Sequence, residues 1–306
     1  MTLALGAALA WAVLAGIWIL RMPANTRGRR WSIVHALLPF AALALWALWP
    51  QRFLTVWMAQ APVILGVLAV AWGAGTRLRN HGVMDIAYPL APLAAAIAAA
   101  ALQDGLAWPQ YLLLALVAVW AVRLSAQTWG HNIHAEREPY ATWRRRHEAD
   151  WWWWSFFQIY LLQGVTIWIW SLVFAFAFTL PAGAAPVAVG VALWLAGFVF
   201  QAGADVQLTR FRADRANRGR LLRSGLWAVV RHPNYFGEAL MWWGYFCFAL
   251  GSPLGVIAVI GPLYVTWFMG FGSAAPFKER HMSRTRPDDW AAYAAVTPRF
   301  FPWARP

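Results

Sequence analysis

Apolar residues fall in blocks along this chain, and polar residues gather between the blocks. A run of about 17–25 mostly apolar residues is long enough to cross a bilayer as an α-helix. Read this way, the pattern predicts spans at 2–20, 33–49, 53–74, 82–101, 109–128, 153–179, 186–206, 236–251 and 254–272. The expected fold class is therefore all-α, a polytopic transmembrane helix bundle of about nine spans.

The loops test that reading. Alternate loops place residues 21–32, 75–81, 129–152, 207–235 and the stretch after 273 on one side, and these carry 23 of the 25 Lys and Arg residues. Arg52 lies in a loop on the other side, and Arg123 lies within a span. Basic loops stay cytoplasmic, which puts the N-terminus outside and the C-terminus inside. The first apolar block has no basic residue before it and Arg21 after it, the reverse of a cleaved signal peptide, so it is expected as a retained helix.

Composition changes how the charge is read. The chain is 61% hydrophobic and 12% charged, with a formal net charge of +13. Soluble domains are about 25% charged. In a soluble protein the positive excess would suggest nucleic acid; here membrane topology accounts for it, and no nucleic-acid partner is expected. The single cysteine, Cys247, excludes a disulfide framework and zinc-finger spacing. The seven histidines lack paired ligand spacing, so no metal is expected. Trp151 to Trp154 stand at a predicted boundary and read as an interfacial anchor. Ala94–Ala101 reads as a close helix contact.

Ionisable groups in spans are costly unless paired or wet, which makes them functional candidates. Asp85, Arg123, Asp205 and Glu238 are the four here. They either converge on a polar pocket in the cytoplasmic half of the bundle or pair locally with loop arginines. The loop from Asp205 to Glu238 holds Arg210, Arg212, Arg215, Arg218, Arg220, Arg223 and Arg231, with Asp214 the one acid between its ends. That density suits either a multiply phosphorylated ligand or anionic lipid headgroups. The end of the loop favours the ligand. Pro233 suits a first helical turn, whose free N–H groups favour an anion. Gly237 permits close backbone approach. Asn234 and Glu238, four apart, share a helix face.

Gly225-Leu226-Trp227, Arg231-His232-Pro233-Asn234-Tyr235 and Gly237-Glu238 together resemble the C-terminal signature of the steroid 5-alpha-reductase-like superfamily, most closely its bacterial membrane branch. The resemblance runs from about residue 75 onward. It takes in Asp85, Trp120 with Arg123-Leu124-Ser125, Glu136 with Tyr140, Gln163, Asp205-Val206-Gln207-Leu208, Asn217-Arg218-Gly219, Glu279, Tyr293 and Phe301-Pro302-Trp303. It implies residues 51–306 as the reductase-like membrane domain with a seven-helix core, and residues 1–50 as two accessory helices.

It also implies NADPH in the cytoplasmic half of the bundle. By position, Asp205, Leu208, Phe211, Arg212 and Arg220 would hold the adenosine and phosphates. Asn234 and Glu238 would lie near the nicotinamide, supported by Arg231, His232 and Tyr235. Such reductases polarise an enone carbonyl with a glutamate and a tyrosine; Asp85, protonated, and Tyr88 are the corresponding candidates here, with Tyr140 a further option. The expectation is an NADPH-dependent reductase of a lipophilic, steroid-like or isoprenoid enone in the bacterial inner membrane. The Arg-His-Pro-x-Tyr piece also resembles membrane methyltransferases that use S-adenosylmethionine on lipids or prenylated thiols. In those a pair of adjacent glutamates usually follows the last span, whereas Glu279 stands alone here. A third reading is a non-enzymatic protein whose basic loops bind anionic lipid.

Overall fold

The computed structural model describes residues 2–23 and 26–304, with the side chains of 2–4 and 27 outside that description. Arg27 and Arg305, two of the loop cations counted above, therefore have no described side chain. The described residues are helical with no strand, as the apolar blocks require. Seven helical stretches are long and apolar enough to cross a membrane: 28–48, 52–77, 83–101, 108–132, 148–179, 184–213 and 253–285. The chain is an integral membrane protein built as a helix bundle. The other two expected spans are present as shorter helices, the first with an apolar stretch at Leu5–Arg21 and the second of 16 residues at Pro233–Phe248.

The fold forms two compact units, 1–179 and 180–306. Unit 1 begins with α1 (Thr2–Arg21), α2 (Arg27–Leu48) and α3 (Arg52–Arg77). The span at 83–101 divides at Tyr88-Pro89 into α4 (Val83–Ala87) and α5 (Leu90–Ala101), since the ring of Pro89 cannot donate to the helical ladder. Ala91, Ala95, Ala96 and Ala99 are fully buried where α5 packs on α3, so the alanine run does let two helices approach closely. Next come α6 (Trp108–Asn132) and the short α7 (Tyr140–Arg146). The last span of the unit comprises α8 (Trp151–Ser155), a π-helical turn at Phe156–Leu161, α9 (Leu162–Trp170) and α10 (Leu172–Thr179).

The tryptophan run is more than an anchor. Trp152 is exposed, but Trp151 and Trp153 are buried. The Arg144 guanidinium lies 4.8 Å from the Trp151 ring, Arg21 lies over Trp152 and Trp153, and His147 stacks on Trp154. The run is a platform for two arginines and a histidine of the basic loops.

Unit 2 is organised by α11 (Ala184–Ala213) and α13 (Pro233–Phe248), with the four-residue α12 (Leu226–Val229) between them. After α13 follow a 3₁₀ stretch (Pro253–Val259), α14 (Ile260–Trp267), a π-helical turn (Phe268–Gly272), α15 (Ala274–Thr285) and α16 (Pro287–Val296). α11 and α13 run antiparallel at backbone contact. A Cβ on Gly190 would meet the Gly244 carbonyl oxygen at 2.7 Å, and one on Gly197 would meet that of Gly237 at 2.6 Å. Gly237 thus serves helix–helix approach; the close backbone neighbour expected from its missing side chain is a helix.

Candidate functional site

The glycine contact brings polar side chains of α11 and α13 together in rungs. Trp194 Nε1 donates to the Tyr245 hydroxyl at 2.9 Å, Gln201 Nε2 donates to Glu238 Oε2, and Asn234 Nδ2 donates to Asp205 Oδ1 at 3.2 Å. Gln201 and Asp205 are four apart on one helix, as are Asn234 and Glu238 on the other, so the rungs follow from matched helical repeats. Trp242 Nε1 donates to the second oxygen of Glu238 at 3.1 Å. Asp205 is 8% exposed and Glu238 2%, so each of these carboxylates needs its donors. Asn234 also accepts from the Tyr235 N–H, taking up one free donor of the first turn of α13.

Arg231 and His232, just before α13, both meet Glu279. Arg231 Nε lies 3.1 Å and His232 Nε2 3.3 Å from Glu279 Oε1 on α15, while Arg299 grips Glu279 Oε2 at 2.7 and 2.9 Å. Burial lowers the affinity of His232 for a proton, partly offset by the Glu279 carboxylate. Its ring stacks on Tyr235 with an interplanar angle of 6°. Arg231 also donates to the Ala294 carbonyl and lies over Trp290. Together these contacts fix the point where α13 starts.

The arginine loop divides cleanly. Arg210, Arg212, Arg215, Arg218, Arg220 and Arg223 are exposed, whereas Arg231 is buried. Leu208 and Phe211 are half-buried on the last turns of α11. The loop is shaped by Gly225, at φ +63°, where any Cβ would fall 2.7 Å from the Gln207 amide that accepts from Leu226 N–H.

Unit 1 holds a second polar cluster at the basic end of its helices. Asp85 accepts from Asn132 Nδ2 at 2.7 Å and shares a 2.6 Å hydrogen bond with the Tyr140 hydroxyl. Tyr88 packs its ring edge-on against Trp120 and Trp170. Tyr140 is buried, and burial, followed by the charge of Asp85, pushes the pKa of its phenol well above the usual range. Behind it Glu136 accepts from the His81 N–H at 2.7 Å and binds Arg144 through both oxygens. Burial alone would raise the Glu136 pKa, but the Arg144 and His81 contacts together bring it below the usual carboxylate value.

His81 is fully buried. Its Nδ1 meets the Tyr160 hydroxyl at 2.9 Å, and its Nε2 has no hydrogen-bond partner. Burial, with Arg144 nearby, lowers its pKa to about 4. The unfolded chain therefore binds this proton first as pH falls. Stability should decline as pH drops from about 6.5 towards 4 and then level off. Protonation of Glu136, depressed in the fold, adds to the loss in acid. Thermal melting of the purified protein across that range checks this, and His81→Asn should flatten the histidine part of the profile.

Glu279, Arg299, Gln201 and Tyr140 are the residues that the linear pattern underplays, because their partners are 20 to 55 positions away. Glu279 and Tyr140 did stand within the resembling motifs; Gln201 and Arg299 carried no signal beyond being polar residues in or near apolar surroundings.

Among known proteins, the family model described as "Protein of unknown function (DUF1295)" matches residues 71–297. The Delta(14)-sterol reductase erg24 of Schizosaccharomyces pombe is 31% identical over 122 residues, which cover 35% of this chain and 28% of that protein. The chain thus spans less than a third of the length of this curated relative. The family match takes in α11, α13, the Asp85 cluster and Glu279, and on its extent the chain belongs to the DUF1295 family.

Proposed function

We propose that the chain is an integral membrane reductase that uses NADPH to reduce an activated carbon–carbon double bond in a lipophilic enone, steroid-like or isoprenoid. The observation that carries this reading is the pairing of Asp205 with Asn234 at the start of α13, next to a loop bearing six exposed arginines. The likeness to a sterol reductase supports the same reaction class.

The residues of unit 2 suit a dinucleotide. Arg212 and Arg220 are exposed and carry guanidinium groups suited to phosphates, with Leu208 and Phe211 offering apolar surface to the adenine. Asn234 and Glu238, held by Asp205, Gln201 and Trp242, are assigned to the nicotinamide end. Arg231, His232 and Tyr235 act by fixing the first turn of α13 through Glu279 and ring stacking. NADPH, when bound, supplies the hydride.

The proton side of the reaction is assigned to Asp85 with Tyr140, and to Tyr88 on the turn after α4. The Tyr140 hydroxyl donates to Asp85 Oδ1 in the structure; protonation of Asp85 reverses that bond, so that the carboxyl O–H donates to the phenol oxygen and the phenol hydrogen turns to the substrate carbonyl. The Asn132 amide donates to the other oxygen of Asp85, which leaves Oδ1 to carry that hydrogen. Such a donor stabilises charge developing on the carbonyl oxygen. Tyr140→Phe should lower turnover roughly 10²-fold while leaving NADPH affinity unchanged. Proteoliposomes supplied with NADPH and a panel of sterol and isoprenoid enones measure this; no turnover of any enone by the unaltered protein would refute the reading.

The orientation assigned is N-terminus outside and C-terminus cytoplasmic, in the bacterial inner membrane, with residues 1–50 accessory to a reductase-like domain at 51–306. The methyltransferase reading gains nothing from Glu279, whose two oxygens are both occupied by internal cations.

A further inference from the structure

The two N-terminal helices are tied to the rest of unit 1 at two levels and hollow between them. Towards the basic loops, Trp18 stacks on Phe157, Gln158 Nε2 donates to Ser32 at 3.0 Å, and Arg21 lies over Trp152 and Trp153. Towards the opposite end, Trp46 Nε1 donates to Thr55 at 3.0 Å. Between these ties lies a partly open cavity of about 770 Å³, walled by α1, α2, α3 and α9. Most of its wall precedes residue 71, outside the part of the chain that matches the family.

The wall has two notable properties. Small side chains make the room, with Ala10, Ala59 and Gly164 lining it, and Pro39 and Pro62 line it from within α2 and α3. The indole N–H groups in its wall are already paired. The Trp11 N–H donates to the Ala36 carbonyl, the Trp168 N–H to the Trp57 carbonyl, and the Trp46 N–H to Thr55. With those donors taken and the rest of the lining almost wholly apolar, the wall favours a hydrocarbon occupant over water clusters or a polar ligand. Packed interiors hold few voids larger than a water molecule, and this one is the size of a small-ligand site. Of its walls, α2, α3 and α9 belong to stretches long and apolar enough to cross a membrane. Bilayer hydrocarbon is the medium beside it.

We propose that this cavity holds an acyl chain of a bilayer phospholipid, which completes the seam between the accessory helices and the rest of unit 1. The proposal is independent of the reductase reading.

The test uses full-length protein in vesicles of phosphatidylethanolamine and phosphatidylglycerol. These are doped with a phospholipid carrying a photoactivatable diazirine midway along one acyl chain. After irradiation, adducts are mapped by peptide mass spectrometry. Segments 7–14, 39–46 and 55–65 should be labelled several-fold above the exposed face of α11 at Val189, Val199 and Val206. Ala10→Phe and Ala59→Leu, made separately to fill the space, should each remove the excess and spare the α11 labelling. Equal labelling of the cavity segments and α11 in the unaltered protein would overturn the proposal, whether or not either variant folds. So would excess labelling that survives the filling substitutions. Loss of the label to an isoprenoid alcohol at concentrations that leave α11 labelling unchanged would overturn the phospholipid as occupant.

Discussion

Glu279→Ala should destabilise the protein by about 3–5 kcal/mol, the range seen when one partner of a buried ion pair is removed. The carboxylate neutralises Arg231, which is 9% exposed, and also holds His232 and Arg299. Without it the Arg231 guanidinium stays buried against the Ala294 carbonyl and the Trp290 face with no counter-charge from Glu279, and the start of α13 loses its tie to α15. Thermal unfolding in detergent measures the loss. Glu279→Leu combined with Arg231→Met should recover much of it, since replacing both charges removes the desolvation cost along with the attraction. A melting temperature unchanged by Glu279→Ala would mean that the carboxylate does not hold this corner.

Gly237→Val should have an effect of comparable size by a different route. A Cβ at this position would collide with the Gly197 carbonyl oxygen and the Gln201 N–H, which are backbone atoms with no rotamer to give. Overpacking costs about 1–3 kcal/mol even where side chains can adjust. Here α11 and α13 must separate, and the Gln201–Glu238 and Asp205–Asn234 rungs lengthen with them. The expected result is reduced melting temperature together with lost cofactor binding. Gly73→Ala, where a Cβ meets nothing within 4 Å, is the matched control and should leave both unchanged.

Much of the fold was legible because a bilayer demands long apolar runs, and those runs are visible one residue at a time. The start of α13 was legible for a similar reason, since Pro233 suits a first turn wherever the helix packs. What the linear pattern could not carry was partnership. Gly237 signals that a backbone comes close, and a ligand and a helix require the same missing Cβ. Asn234 and Glu238 visibly share a face, yet their repeat matches Asp205 and Gln201 only once α11 lies antiparallel alongside. Tyr140 reaches Asp85 from 55 residues away, beyond any helical spacing that would pair them in advance. Trp151 to Trp154 read as an anchor from composition, while burial of alternate members depends on what packs above them.

In the proposed function, unit 2 binds a phosphorylated dinucleotide through the arginine loop and the start of α13. Calorimetric titration of the purified protein with NADPH, with S-adenosylhomocysteine as comparator, tests it most directly. NADPH should bind, and its binding should weaken as salt is raised. Affinity should fall about tenfold or more in each of Arg212→Ala, Arg220→Ala and Asn234→Ala, in line with charge-assisted hydrogen bonds. Tight S-adenosylhomocysteine binding without NADPH binding would contradict it, as would NADPH affinity indifferent to salt and to all three substitutions.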